Sequence, residues 1–180
     1  EKKGWRPEVS VVIAGQVVAL RKKGDSQVFV QLEDGRGRIE CSVFAEAYTQ
    51  LAPLLTRDRI LVVQGGLRED EFNGGFSLRV RHCWDYAQLC ASHAQRLSLR
   101  LDLRVPGLWD RVDGLLAKHR PGGTPLRLDL LMKSGDRNVA GLLDLNGPKA
   151  VRVDTELLDT LRAQPGVRTV KVAISRPWAN

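Results

Sequence analysis

The chain is poor in cysteine. Its three residues, Cys41, Cys83 and Cys90, are too few and too odd in number for a disulfide framework. No apolar run approaches the roughly 20 residues that a membrane helix needs. Glu1-Lys2-Lys3-Gly4 is charged and followed by no apolar stretch, unlike a secretory leader, so a cytoplasmic location is expected. There is no Walker-type phosphate loop, no GxSxG elbow and no HExxH pair. The three histidines, His82, His93 and His119, have no nucleophile at a recognisable spacing. The densest acidic cluster, Glu69-Asp70-Glu71, falls at an expected hairpin tip, where side chains splay into water instead of converging on a metal ion. No catalytic residue and no cofactor is expected. His82, Cys83, Cys90 and His93 invite a zinc reading, but six residues separate the cysteines where structural sites use two to four. Buried thiols are expected, and no metal.

Charge is plentiful but uneven. The net charge is +7 and the pI about 9.7, a balance compatible with a polyanionic partner. Residues 1–83 carry 13 Lys and Arg against 11 Asp and Glu, a surplus of two; residues 84–180 carry 15 against 10, a surplus of five. No internal repeat or low-complexity tract is present.

The clearest pattern lies in residues 26–44. Val28, Val30 and Leu32 alternate with Gln27, Phe29 and Gln31; after Asp34-Gly35-Arg36-Gly37, Ile39, Cys41 and Val43 alternate with Arg38, Glu40, Ser42 and Phe44. Alternation on both sides of a Gly-rich turn predicts a hairpin with one apolar face and one polar, basic and aromatic face. Before it, Val9–Leu20 reads as a strand with Gly15 placed to bend it, followed by a basic loop, Arg21–Asp25. After it come a short helix over Ala45–Leu55, a strand over Arg59–Leu67, an Asn-Gly turn and a strand over Phe76–Cys83. Five strands with a helix between the third and fourth predict an OB-fold, a five-stranded Greek-key β-barrel, over residues 1–84.

A helix over 85–95 leads to a second module, 96–180. Its expected order is βαβββαβ, with strands over Arg96–Leu103, Leu126–Met132, Val139–Leu145, Ala150–Val153 and Val167–Ile174, and a helix capped by Asp154 or Thr155. That order fits a small α+β domain.

Single-stranded nucleic acid is the ligand class the first module suits. It needs cations for the backbone and exposed rings for stacking. Lys22, Lys23, Arg38, Arg79 and Arg81 supply the cations; Phe29, Phe44 and Phe72 supply the rings. The competing reading has Phe29 and Phe44 covering barrel ends or the second module, and the basic loop merely solvated. In the second module Trp178, beyond Pro177, can anchor a protein partner or fold back on its own domain.

Two segments, VVIAGQVVALRKKGDSQVFVQLEDGRGRIECSVFAEAY and RDRILVVQGGLREDEFNGGFSLRV, carry a resemblance. They resemble the C-terminal region of the bacterial replicative DNA polymerase III alpha subunit. The shared pieces are the AGxV start, the LEDGRGRIE turn, the FxxAY after the third strand and the DRILVVxG strand. HRPGGTPLRLDL and LLDTLRAQPGVRTVKVAI look like that subunit's tau-binding end. Short OB motifs also recur in anticodon-binding domains of some aminoacyl-tRNA synthetases, which keeps a tRNA- or RNA-binding module as the alternative. The resemblance implies a non-catalytic part of a longer DNA-directed DNA polymerase, a nucleotidyltransferase whose catalytic aspartates lie upstream. It also implies an OB domain near single-stranded template, a last domain docking the tau subunit of the clamp loader, and a place in the nucleoid-associated replisome. An error-prone paralogue would share the OB pattern; the tau-type end favours the replicative form. The late strands and tail are the expected tau surface, with Val151, Val170, Val172, Ile174 and Trp178 as its residues.

Overall fold

The computed structural model describes residues 8–24, 27–69 and 74–178. The chain separates into two compact units, Glu1–Tyr86 and Ala87–Asn180.

In the first unit, β1 (Val9–Lys23), β2 (Gln27–Glu33), β3 (Arg38–Phe44), β4 (Ile60–Glu69) and β5 (Phe76–Asp85) close a barrel in the order β1-β2-β3-β5-β4. Strand β1 serves two neighbours: Val9–Gln16 pairs with β4 and Gln16–Lys23 with β2. The irregularity that lets it change partner lies between Val17 and Ala19, not at Gly15. Gly15 has another role: a Cβ there would stand 3.1 Å from Leu32 Cβ and from the Glu33 carbonyl oxygen, so its bareness lets β2 close in. The basic run is not a loop. Arg21, Lys22 and Lys23 continue the ladder opposite Phe29, Val28 and Gln27, because backbone pairing persists where charged side chains can reach water at the rim.

The hairpin between β2 and β3 forms as its alternation requires, with Val28, Val30, Leu32, Cys41 and Val43 in the core. Its turn is tied by the Asp34 carboxylate, which accepts from the Arg36 and Gly37 amides at 2.9 and 3.0 Å. Those bonds hold the Asp34 carboxyl below the usual carboxylate range. Parallel pairing of Glu40–Ser42 with Ser77–Arg79 closes the barrel. Helix α1 (Ala45–Leu51) packs Ala47, Tyr48 and Leu51 against the core.

Helix α2 (Tyr86–His93) starts at the last residue of the first unit, and its buried Leu89 and Cys90 belong to the second. Then follow β6 (Ala94–Asp102), α3 (Leu108–Lys118), β7 (Leu126–Ser134), β8 (Arg137–Leu145), a 3-10 turn (Gly147–Lys149), α4 (Thr155–Arg162) and β9 (Val167–Ile174). The sheet order is β8-β7-β6-β9, with β6 and β7 parallel and the other pairs antiparallel. Asp154 caps α4 by accepting from the Leu157 amide at 2.8 Å.

Two expectations fail here. Ala150–Val153 is not a strand, so the order is βαββαβ; Val151 makes one isolated bridge, to Thr124. The cause is local: the Gly122 backbone lies against Val151, where a Cβ would be 1.9 Å from the Val151 carbonyl carbon, and no length of edge is left to pair. Leu103 lies just past the end of β6 rather than on it.

Candidate nucleic-acid interface

Alternation sorts the barrel strands into core and surface, and the register lines the surface residues into rows. One row crosses four strands: Arg21, Phe29, Ser42, Arg79. A second holds Lys23, Gln27 and Phe44, and a third Ala19, Gln31, Glu40 and Ser77. Arg21 sets its guanidinium carbon 4.8 Å from the Phe29 ring centroid, and Arg79 sets its own 4.9 Å from that of Phe44. Each ring thus carries a planar cation, which screens the ring from water and keeps the charge at the surface. Ser42, between them, is buried despite its outward parity, with its hydroxyl donating to the Leu78 carbonyl at 3.5 Å.

The expected binding residues divide on this geometry. Lys23, Phe29, Phe44 and Arg79 come together on one face. Lys22 does not join them: it faces the opposite way, with its ammonium 5.6 Å from the Tyr48 ring of α1. Arg38 lies at the far end of the face and is committed to Glu33 at 2.6 Å. Arg81 is the residue skipped where the β4–β5 register shifts, and it pairs with Glu8 at 3.1 Å. Phe72 and the Asp70-Glu71 tip lie outside the described residues. Arg21 is the site residue that sequence reading passed over. Carrying the β1 alternation past Leu20 would have set it opposite Phe29.

A groove at the turn end of the barrel is lined by Ile13, Leu32 and Ile39 below, with Asp34, Arg36 and Arg38 at its mouth. Cys41 and Cys83 are core thiols, pushed up to about 12 by burial. Among the described residues no three His, Cys, Asp or Glu side chains converge as a metal site would require. No helix among them is long and apolar enough to cross a membrane.

In the second unit the five residues expected to meet tau take different places. Val151 is fully buried and belongs to the domain core. Val170 and Val172 stand opposite Leu99 and Leu97, which are buried, so they share the core-facing side of the sheet. Ile174 pairs with Ala94, and Trp178 is half-buried. Among the described residues one carboxylate is buried: Asp102, 2% exposed and clamped from two sides. Arg104 donates through Nε at 2.7 Å and Nη2 at 2.8 Å, and Arg168 through Nη2 at 2.8 Å. These cations hold its carboxyl well below the usual carboxylate range. Such an anion is a structural tie between β6 and β9, too well satisfied to act as a base.

Comparison with known proteins agrees with this architecture. A family model described as tRNA anti-codon, OB-fold nucleic acid binding domain, matches residues 11–85. DNA polymerase III subunit alpha of Xylella fastidiosa (strain Temecula1) is 62% identical over 178 residues, 99% of this chain and 15% of that protein. The subunit from Pseudomonas fluorescens is 38% identical over 125 residues, 65% of this chain and 10% of that protein. The Pseudomonas aeruginosa subunit is 33% identical over 160 residues, 86% of this chain and 13% of that protein. The chain therefore spans only a small part, about 15%, of the length of the relative it resembles at 62% identity. Matched along nearly its whole length, and built as an OB barrel followed by a small α+β domain, the chain belongs with the DNA polymerase III alpha subunits as a region of that family.

Proposed function

We propose that the chain is the C-terminal region of a replicative alpha subunit, working in the cytoplasm at the nucleoid-associated replisome. Its barrel holds single-stranded template weakly, and its second domain docks the tau subunit of the clamp loader. The parent chain polymerises DNA, and this region contributes binding to that work.

The observation that carries the template reading is the row Arg21–Phe29–Ser42–Arg79, flanked by Phe44 and Lys23. Two rings capped by guanidinium planes, spaced over adjoining strands of an OB face, give bases a stack and phosphates a cation. Affinity stays low because Glu40 lies 3.5 Å from Arg21 and Arg38 is spent on Glu33. The tau reading is supported by the likeness of the second module to the tau-binding end.

Titration of a labelled oligothymidylate at low and moderate salt tests the first part. Binding should weaken with salt, and Arg21→Ala with Arg79→Ala should make the salt slope shallower by about 0.7 per lost phosphate contact. An unchanged affinity and slope would overturn the assignment, and preference for a structured RNA would favour the tRNA-type alternative. Capture of purified tau by the chain tests the second part.

A further inference from the structure

The rows on the barrel surface differ in charge from one end of the strands to the other. The row that reaches Phe44, where α1 begins, holds Lys23 and Gln27, and the next holds Arg21, Phe29, Ser42 and Arg79. The third, Ala19, Gln31, Glu40 and Ser77, continues to Arg68 on β4. Among the residues of these three rows Glu40 is the one carboxylate.

The Arg21 guanidinium lies between two partners. Its carbon is 4.8 Å from the Phe29 ring centroid, and its Nη2 is 3.5 Å from Glu40 Oε2. A closed charge-assisted bond measures about 2.7–2.9 Å, so this pair is loose. Both side chains are exposed, 68% and 41%, where water offsets most of what the pair gains. The other ion pair of the face, Glu33 with Arg38, is closed at 2.6 Å. It also lies farther away. Glu33 is four residues along β2 from Phe29, about 13 Å, whereas Glu40 is two residues along β3 from Ser42, the partner of Phe29, about 7 Å. With a Debye length of about 8 Å at physiological salt, the charge on Glu40 is felt at the Phe29 row and that on Glu33 is largely screened.

We propose that Glu40 is the brake on strand affinity at this face. In the strand-free protein its carboxylate occupies the Arg21 guanidinium, and a phosphate of an incoming strand has to displace it. The displaced carboxylate then stands beside that phosphate and repels it, so the strand is held loosely. The inference rests on reading this face as a single-strand site, and it names the residue that sets how weakly that site binds.

The experiment titrates a labelled oligothymidylate with the unchanged chain, Glu40→Gln and Glu33→Gln, after thermal melts have shown that the three fold alike. Glu40→Gln keeps an oxygen that accepts from Arg21 and removes only the charge. It should tighten binding about fivefold at low salt, with the gain shrinking as salt rises. Glu33→Gln should change affinity less than about twofold. Weaker binding by Glu40→Gln would mean that the carboxylate serves to place Arg21 for the strand, and it overturns the inference while leaving the strand site intact. Unchanged binding, or equal gains from the two variants, overturns it in the same way, the second by tracing the gain to net charge alone. Absence of binding by both the unchanged chain and Glu40→Gln overturns the inference together with the single-strand reading.

Discussion

The guanidinium of Arg79 lies 4.9 Å from the centre of the Phe44 ring, joining β5 to β3 across the barrel surface. The pair separates two contributions that a simple loss of binding would confuse. Phe44→Ala removes a stacking surface and should cost about 1–3 kcal/mol wherever a base rests on it, leaving the salt slope unchanged. Arg79→Ala removes a cation and should flatten the slope. Fluorescence anisotropy with oligothymidylate at several salt concentrations reads both. Equal effects of the two variants on the slope would mean that Phe44 only holds Arg79 in place.

The same strand pairing makes one glycine indispensable and its neighbour tolerant. A Cβ on Gly65 would stand 2.1 Å from the Arg79 carbonyl oxygen, a backbone atom that cannot move without breaking the β4–β5 ladder. Gly65→Ala should destabilise the barrel by more than about 3 kcal/mol, in the range that marks a named steric failure. At Gly66 the Cβ would meet the Glu8 carboxylate, the end of a flexible side chain. Gly66→Ala should cost under about 1 kcal/mol, chiefly by freeing Arg81 from Glu8. Urea denaturation of the two variants tests the contrast.

The barrel was legible because a closed sheet has an inside and an outside, and Val28, Val30, Leu32, Cys41 and Val43 record that division residue by residue. What misled was charge. Arg21-Lys22-Lys23 looks like a loop, yet a strand end needs only a partner ladder, and β2 provides it. Parity then separates Arg21 and Lys23 from Lys22, a distinction invisible in a run of cations. In the second domain, alternation correctly predicts that Val170 and Val172 share a side. Which side is covered depends on where α3 and α4 pack, and no local pattern states that. Val151, in a short β-branched run, resembled a strand residue; its neighbour Gly122 made it a crossing point instead.

Thiol chemistry offers a test of the barrel core. Burial pushes Cys41 and Cys83 up to about 12, so at pH 8 both are neutral as well as shielded. Cys90 is fully buried in the second unit. Ellman's reagent at pH 8 should find the native chain nearly inert and all three cysteines reactive once denaturant is added. Rapid reaction of one thiol in the native chain would show that one of the cores opens easily.

Acid should strike the second domain through Asp102. Its folded pKa is depressed, first by Arg104 and then by Arg168, relative to the ordinary value near about 3.9. A depressed carboxylate contributes stability that is fully present above the unfolded value and fades as pH falls through the folded one. The contribution therefore stands undiminished at neutral pH and declines only below about pH 4. Asp102→Asn keeps the shape but leaves Arg104 and Arg168 without their anion. The variant should melt lower at pH 7, and its melting temperature should fall less steeply than that of the unchanged chain as pH drops below 4. Parallel melting curves for the two proteins across that range would mean that the two arginines find other partners and that the clamp adds nothing to the fold.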